Sequence, residues 1–345
     1  YLLFFIYYSS VLVSFDTSGV YNPVGELSEF TDGKIDTSIT YARYWHGYLP
    51  ILRILLIFFN VSEIRLLMLA VFVLLLVYLA YLLKKTFSKS ISAIFVYSLI
   101  MYGYFYVSYS LESTPIFLVM MISSIILLKR IEKIKDFSLF IFIVGCVACF
   151  VDFLTVPLIT LAIPLYIYIL YCNKSEKTFN IKTLFKYIIL WGIGYSVTWF
   201  SKWVIYDVLY KEGVISSAIY QVLYRSGVKE NLISEFLYVM FVLNIQLLVY
   251  FSVFHIGNLI YCIIKRKIVI IKIYDNFWKN NMPIVIILLL PFIWYFVLKN
   301  HTVNHWWFMV FRNMLIVLVG ILLFINNTFQ NKDEKGILKE KCQNQ

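Results

Sequence analysis

Charged residues are scarce in this chain. Of its 345 residues only 14% are charged and 61% are hydrophobic, whereas an ordinary soluble domain carries roughly 25% charged residues. This scarcity excludes a soluble globular protein. Apolar stretches recur from end to end, and a stretch of about 20 residues is long enough to cross the hydrocarbon core of a bilayer. The sequence therefore predicts a polytopic membrane protein.

Several patterns that carry chemistry are also missing. The net charge is +11, but the 30 Lys and Arg residues occur mainly in short clusters between apolar stretches, so the sequence has no basic domain for nucleic acid. The five cysteines are scattered, and Cys146-x-x-Cys149 lacks the soluble context of a redox motif. The four histidines form no HExxH pattern. Without repeats or Gly- or Ser-rich linkers, we predict one transmembrane domain over 1–326 and a polar cytoplasmic tail over 327–345.

Apolar stretches between charged stops predict an all-α bundle with about ten membrane crossings. These stretches are 1–15, 64–83, 90–108, 114–128, 137–151, 156–172, 187–206, 236–264, 282–298 and 307–326. We interpret the first as the end of a transmembrane helix, because no cleavage-site pattern of a signal peptide follows it. Twenty of the 30 Lys and Arg residues lie in alternate connections, namely 84–89, 129–135, 174–186, 265–279 and the tail from 332. The positive-inside rule assigns these connections, and the beginning and end of the chain, to the cytoplasm.

Two long connections, 16–63 and 207–235, then face outward. In the first, apolar and aromatic residues recur at helical spacing, which predicts interfacial helices over about 36–48 and 51–60, separated at Pro50. In the second, apolar residues three or four apart predict a similar helix near 214–226. Functional chemistry is therefore expected at the outer face.

Ionisable residues in or beside the predicted spans are expected to have a partner or a function, because a charge at the bilayer centre costs about 2.5–3.5 kcal/mol. On this topology they gather near the outer interface: Asp16, Glu112, Asp152, Lys202, His301, His305 and Arg312. Asp16 is a candidate general base toward an acceptor hydroxyl, or a residue at a helix end. Asp152, before a turn with Pro157, is a candidate to bind a metal or orient a substrate hydroxyl, or to stabilise the turn. Glu112 is a candidate substrate contact or turn residue.

Two short runs combine cations with aromatic rings. Residues 41–48 contain Arg43, His46 and four aromatic residues, one of which is Trp45. This combination suits the binding of a sugar or a phosphate. The alternative is an aromatic belt at the membrane interface. Lys202 lies between Trp199 and Trp203. It is a candidate contact for an anionic lipid phosphate, with snorkelling toward the headgroups as the alternative.

Residues 300–313 give the strongest pattern. His301 and His305 are four apart and are expected on one helix face, with Arg312 returning to that face deeper in the membrane. An arginine within an apolar helix requires an anion or carbonyl partner. Helix capping with a snorkelling arginine is the alternative.

Together these features resemble the polytopic glycosyltransferases of the GT-C superfamily, in particular bacterial integral-membrane relatives of unassigned substrate. The similarity rests on Asp16 just after the first span, the long first outward loop ending in residues 41–48, and the segment Asn300-His-x-x-Asn-His-Trp-Trp-Phe-x-x-x-Arg312. The resemblance implies a sugar donor linked to a lipid phosphate, reaction at the outer face and an aspartate base. The resemblance further implies that Asp16 is the catalytic residue and that Lys202, Arg312 and Arg43 contact the donor phosphate. The chain lacks the WWDYG-like motif of oligosaccharyltransferases, so the acceptor is not indicated.

The function expected from this resemblance is inverting transfer of a sugar from a polyprenyl-phosphate donor to a glycan, lipid or polymer acceptor outside a bacterial cytoplasmic membrane. Trp45, His46, Glu112, His301 and His305 are the expected substrate contacts, and Asp152 could recruit a divalent cation, Mg or Mn. Two other classes stay open. A transporter or flippase would carry charges near mid-membrane on a path open to both sides, and a polysaccharide polymerase would favour several arginines in a large outward loop.

Overall fold

The structure, a computed structural model, describes residues 11–14, 38–134, 136–152, 154–175, 177, 179–227, 233–246, 268–270 and 277–331. Helices dominate these residues. The α-helices are α1 Leu49–Phe58, α2 Val61–Thr86, α3 Lys89–Met101, α4 Thr114–Arg130, α5 Phe137–Val151, α6 Leu158–Lys174, α7 Ile181–Tyr210, α8 Val214–Ser226, α9 Ile233–Leu237, α10 Phe277–Val297, α11 Lys299–Asn304 and α12 Trp306–Thr328. A 3-10 helix covers Tyr104–Tyr109, and a π-helical segment, Tyr238–Leu243, continues α9. The predicted helical fold class is confirmed at this level.

Two pairs of short antiparallel strands supplement the helices. Strand β1, Val11–Ser14, pairs with β2, Ser38–Tyr41, and β3, Ile268–Ile270, pairs with β4, Phe329–Asn331. The prediction of a transmembrane helix over 1–15 is therefore wrong for residues 11–14, because their backbone groups pair across a ladder with a distant segment. Residues 1–10 and 15, and the tail from 332, lie outside the described residues.

Three helices in the described part of the chain are long and apolar enough to cross a membrane: α2, α7 and residues Phe308–Asn327 of α12. These spans support a membrane protein. Several other predicted crossings are shorter apolar helices; the 15 residues of α5 extend about 22 Å, against about 30 Å of hydrocarbon. Of the predicted span 236–264, only the part up to residue 246 is described.

Local sequence explains where several helices begin. Helix α2 starts at a capping box, in which the Asn60 side chain accepts from the Glu63 backbone N–H at 3.0 Å and the Glu63 carboxylate accepts from that of Asn60 at 2.8 Å. Asp136 and Asn180 are the N-caps of α5 and α7, where each side chain accepts one backbone N–H, from Ser138 and Thr183 respectively. These signals place the ends of long apolar helices at polar residues.

Helix α6 forms the centre of the bundle. It is buried on nearly all sides and contacts α4, α5, α10 and α12. By contrast, α2 and α7 expose many apolar side chains, as expected for helices that face lipid. The interior of the bundle is filled mainly by apolar side chains, and the polar groups described next lie near one of its ends.

Candidate functional site at one end of the bundle

The predicted site residues that the structure describes lie toward one end of the bundle. His301 Nε2 lies 3.1 Å from the Leu154 carbonyl in the α5–α6 turn, and the Asn300 amide donates to the Tyr224 carbonyl of α8 at 3.1 Å. At the opposite end, Lys174 Nζ donates to the Thr86 carbonyl at 2.5 Å. We call these the site end and the basic end. The helix ends and connections at 84–89 and 129–134 also lie at the basic end, so these Lys clusters and the polar residues of the site end occupy opposite ends of the described bundle.

Residues 42–47 form a loop, which we call the aromatic loop. Trp45 Nε1 donates to the Thr198 carbonyl of α7 at 2.6 Å, and Trp199 and Trp203 both donate to the Arg43 carbonyl, at 2.8 and 3.0 Å. The Gly47 backbone N–H donates to the Phe150 carbonyl at 2.8 Å. The predicted helix over 36–48 is therefore wrong for residues 38–48, because residues 38–41 pair as strand β2 and the backbone of Arg43 and Gly47 bonds to α7 and α5. The second predicted interfacial helix, 51–60, is observed as α1, with Pro50 in its first turn, where its missing N–H costs nothing.

Lys202 is completely buried. Its ammonium lies 5.3 Å from the ring centres of both Trp45 and Tyr206, a cation–π geometry. Trp45 itself is 7% exposed. In this conformation Lys202 and Trp45 connect α7 to the aromatic loop rather than opening onto a cavity.

Arg225 of α8 joins the aromatic loop to the two histidines. Its guanidinium donates to the Tyr44 hydroxyl, and its charge acts on both His301 and His305. The two imidazole rings lie 4.6 Å apart, as expected for residues on one helix face, but His305 lies in the turn between α11 and α12, so the single helix predicted to carry both histidines and Arg312 is interrupted there. Burial and the nearby Arg225 charge lower the pKa of His301 to about 3 and also lower the pKa of His305. Both side chains are therefore neutral at physiological pH.

Asp152 lies in the turn between α5 and α6 and is 1% exposed. Its carboxylate accepts from the Leu154 backbone N–H at 3.0 Å, the Thr155 backbone N–H at 3.1 Å, the Thr155 hydroxyl and the Tyr195 hydroxyl at 3.4 Å. Burial nevertheless raises its pKa to about 6. Because these donors occupy both oxygens, the geometry favours the turn-stabilising role of Asp152 over metal binding. Within the described residues no group of three His, Cys, Asp or Glu side chains could hold a metal ion.

Arg312 obtains its partner from the α3–α4 connection. Its guanidinium donates to the Ser113 hydroxyl, and the neighbouring Glu112 carboxylate interacts with it electrostatically. Tyr48, in turn, has its pKa raised to about 12 by burial and by the carboxylates of Glu112 and Asp152. Arg312 thus has two partners, the Ser113 hydroxyl and the Glu112 carboxylate, and the second is an anion of the kind that the sequence predicted.

The site end brings together most of the side chains that the sequence predicted, and it adds others. Arg43 donates to Ser217 of α8 at 3.2 Å, and His46 Nδ1 lies 3.2 Å from the Tyr44 carbonyl. Sequence reasoning missed the connecting roles of Tyr48, Ser113 and Arg225. Tyr48 belongs to the aromatic run 41–48, and Arg225 is a lone arginine on an otherwise amphipathic helix, whereas Ser113 gave no signal. Asp16 lies outside the described residues.

A cavity of about 390 Å³ opens beside this cluster. Its walls come from α9, the π-helical segment, α11 and the start of α12, through Ser234, Glu235, Tyr238, Val239, Val303 and Trp306. His305 lies between two of these wall residues in sequence. Two wall residues, Val303 and Trp306, therefore place the cavity beside the chain segment that contains His305.

Comparison with protein-family models, with curated proteins and with solved structures finds no match to this chain.

Proposed function

We propose that this chain is a polytopic membrane glycosyltransferase of GT-C type, with crossings over the predicted spans from 64–83 to 307–326. It would transfer a sugar from a polyprenyl-phosphate donor to an acceptor glycan or lipid outside a bacterial cytoplasmic membrane, at the site end. The observation that carries the proposal is the convergence of Glu112, Arg225, His301, His305 and Arg312 at the end of the bundle opposite the Lys clusters. The tail from 332 would then be cytoplasmic.

The charges at the site end suit a lipid phosphate. Arg225 stands beside two imidazoles, and Arg312 stands at the entry of a membrane-spanning helix. Guanidinium groups bind phosphate oxygens through charge-assisted hydrogen bonds. The exposed apolar surface of the bundle would leave the prenyl chain in the bilayer while the phosphate stays at the interface.

In the proposed reaction, an acceptor hydroxyl oxygen attacks the anomeric carbon. The new glycosidic bond forms as the bond between that carbon and the donor phosphate oxygen breaks, with inversion. Asp16 takes the hydroxyl proton, and the leaving phosphate keeps the electron pair of the broken bond. Arg312 and Arg43 stabilise the charge that develops on that phosphate. His46, His301, His305 and Glu112 hydrogen-bond the sugar. Lys202 and Trp45 act indirectly, by holding the aromatic loop.

The test is a transfer assay with the full chain in liposomes that contain a radiolabelled polyprenyl-phosphate sugar. We expect formation of a glycosidic product together with polyprenyl phosphate. Asp16→Asn, Arg312→Ala and His305→Ala should each reduce product formation by about 100-fold or more. Lys211→Ala, which changes an exposed cation beyond the cluster, is the matched control and should retain activity.

Two outcomes would contradict this proposal. Full transfer by an Asp16→Asn variant that inserts normally would remove Asp16 as the base. Movement of a lipid-linked or polar solute across the liposome membrane, with no new glycosidic bond, would instead indicate a transporter or flippase.

A further inference from the structure

The 390 Å³ cavity beside His305 is formed by residues to which the proposed reaction gives no role. Ser234 and Glu235 contribute from α9, Tyr238 from the π-helical segment, and Trp306 from the start of α12. Its volume falls within the roughly 300–1,000 Å³ typical of small-molecule sites. The cavity is therefore large enough for a small molecule that contacts none of the residues used in the proposed reaction.

The wall chemistry points to a particular class of occupant. Trp306 and Tyr238 are 44% and 51% exposed, so both rings are available for contact. One carboxylate, Glu235, and one hydroxyl, Ser234, stand at the same wall. A pyranose has an apolar C–H face that packs on aromatic rings and a rim of hydroxyls that donate to a carboxylate. A lipid chain would place hydrocarbon against Glu235, which is unfavourable because the carboxylate would lose water without gaining a donor.

The backbone that shapes this wall is unusual. The π-helical segment Tyr238–Leu243 is followed by Asn244, which is 1% exposed and donates to the Val239 carbonyl at 2.6 Å and the Met240 carbonyl at 3.1 Å. Single π-helical turns occur frequently at functional sites, because they displace side chains relative to a regular α-helix. Asn244 therefore stabilises the conformation that presents Tyr238 and Val239 to the cavity.

We infer that this cavity binds a saccharide, with a pyranose ring packed on Trp306 and Tyr238 and its hydroxyls donating to Glu235. The identification of this saccharide as the acceptor glycan rests on the proposed function. The prediction that the cavity binds a saccharide does not rest on it, since the cavity walls contain none of the residues assigned to the donor.

The experiment measures saccharide binding by saturation-transfer difference NMR, with the full chain in nanodiscs free of sugar-based detergent and glycolipid. The probes are cellobiose, maltose and N,N′-diacetylchitobiose, with no donor present. We expect at least one probe to bind through its ring protons. Trp306→Ala and Glu235→Gln should each weaken binding at least tenfold. Tyr106→Ala and Glu212→Gln, which change an exposed tyrosine and an exposed glutamate outside the cavity, should bind as wild type.

The inference is overturned if none of the three probes binds the wild-type chain, or if binding survives both cavity substitutions. Trp306→Phe keeps a stacking surface, so it should stay within about threefold of wild type and separates stacking from loss of fold. The proposed function can fail independently. Saccharide binding without transferase activity would contradict the proposed function and leave the cavity assignment in place. Conversely, if both cavity variants transferred sugar to an acceptor glycan as well as the wild-type chain does, the cavity would not be the acceptor site, but the proposed function would stand.

Discussion

Asp152 accepts hydrogen bonds on both carboxylate oxygens. Its two oxygens take backbone N–H and hydroxyl donors from Leu154, Thr155 and Tyr195. An amide offers a single acceptor oxygen and would direct its own N–H toward these donors. A buried donor left without an acceptor costs about 1–3 kcal/mol.

Asp152→Asn is therefore expected to lower the free energy of unfolding by about 2 kcal/mol, measured by thermal unfolding in detergent. Asp136→Asn is the matched control. Asp136 is exposed and accepts the Ser138 backbone N–H on one oxygen, at 2.8 Å, and Asn caps a helix about as well as Asp. Equal melting temperatures for the two variants would contradict the structural role of Asp152.

His301 makes stability depend on pH. Its pKa of about 3 in the folded chain lies below the ordinary value of 6.5, so the unfolded chain takes up the proton first and stability falls as the pH drops from 6.5 toward 3. The slope in this window is up to about 1.4 kcal/mol per pH unit. Asp152 acts in the opposite direction between pH 6 and 3.8, because its folded pKa is raised.

His301→Gln should therefore flatten the loss of melting temperature on acidification below pH 6.5 relative to the wild-type chain, measured by thermal unfolding at a series of pH values. Asp152 is present in both chains, so the difference isolates His301. Parallel pH profiles for the two chains would show that His301 does not titrate in this way.

At the scale of elements, α5 and α7 form the most extensive helix pair and pack through two glycines. A Cβ on Gly145 would collide with the Trp191 backbone, and one on Gly194 would collide with the Phe142 backbone. Small residues allow such close approach of helix backbones. This contact fixes α5, which ends directly before Asp152, against α7, which carries Lys202.

Gly145→Ala and Gly194→Ala should each destabilise the bundle by about 1–3 kcal/mol, because the added methyl group forces the helices apart. Gly192 lies on the same helix as Gly194, but a Cβ there meets no atom within 4 Å. Gly192→Ala should therefore be neutral, or stabilising by up to about 1 kcal/mol through helix propensity. Thermal unfolding compares the three. If Gly192→Ala lowered the stability as much as Gly145→Ala does, the proposed close contact between α5 and α7 would not explain the effect.

Several elements were predictable because they depend on short-range patterns. The predicted helices 137–151 and 214–226 coincide with α5 and α8, since apolar spacing and polar ends identify them locally. The aromatic loop was predicted as a helix for the same reason, since its spacing fits one. Its actual partners, Thr198, Trp199 and Trp203, lie about 155 residues away, and a pattern read along the chain does not contain them.

At the scale of the whole molecule, the basic end and the site end should lie on opposite sides of the membrane. In a background without native cysteines, Glu212→Cys lies at the site end and Lys133→Cys at the basic end, and both positions are exposed. We expect a membrane-impermeant maleimide to label Glu212→Cys on intact cells and Lys133→Cys only after permeabilisation. Labelling of both positions from outside would contradict the orientation.

The sequence alone determined that this chain is a helical membrane protein, since hydrophobic run length and the distribution of Lys and Arg are properties of the chain itself. It also selected most of the ionisable residues at the site end. Which of them meet was decided by tertiary structure. The Arg225–Tyr44 contact, the Ser113–Arg312 contact and the cavity beside His305 join segments far apart in sequence. Such contacts depend on how the helices pack, because a side chain's partner is set by distance in space and not by spacing along the chain.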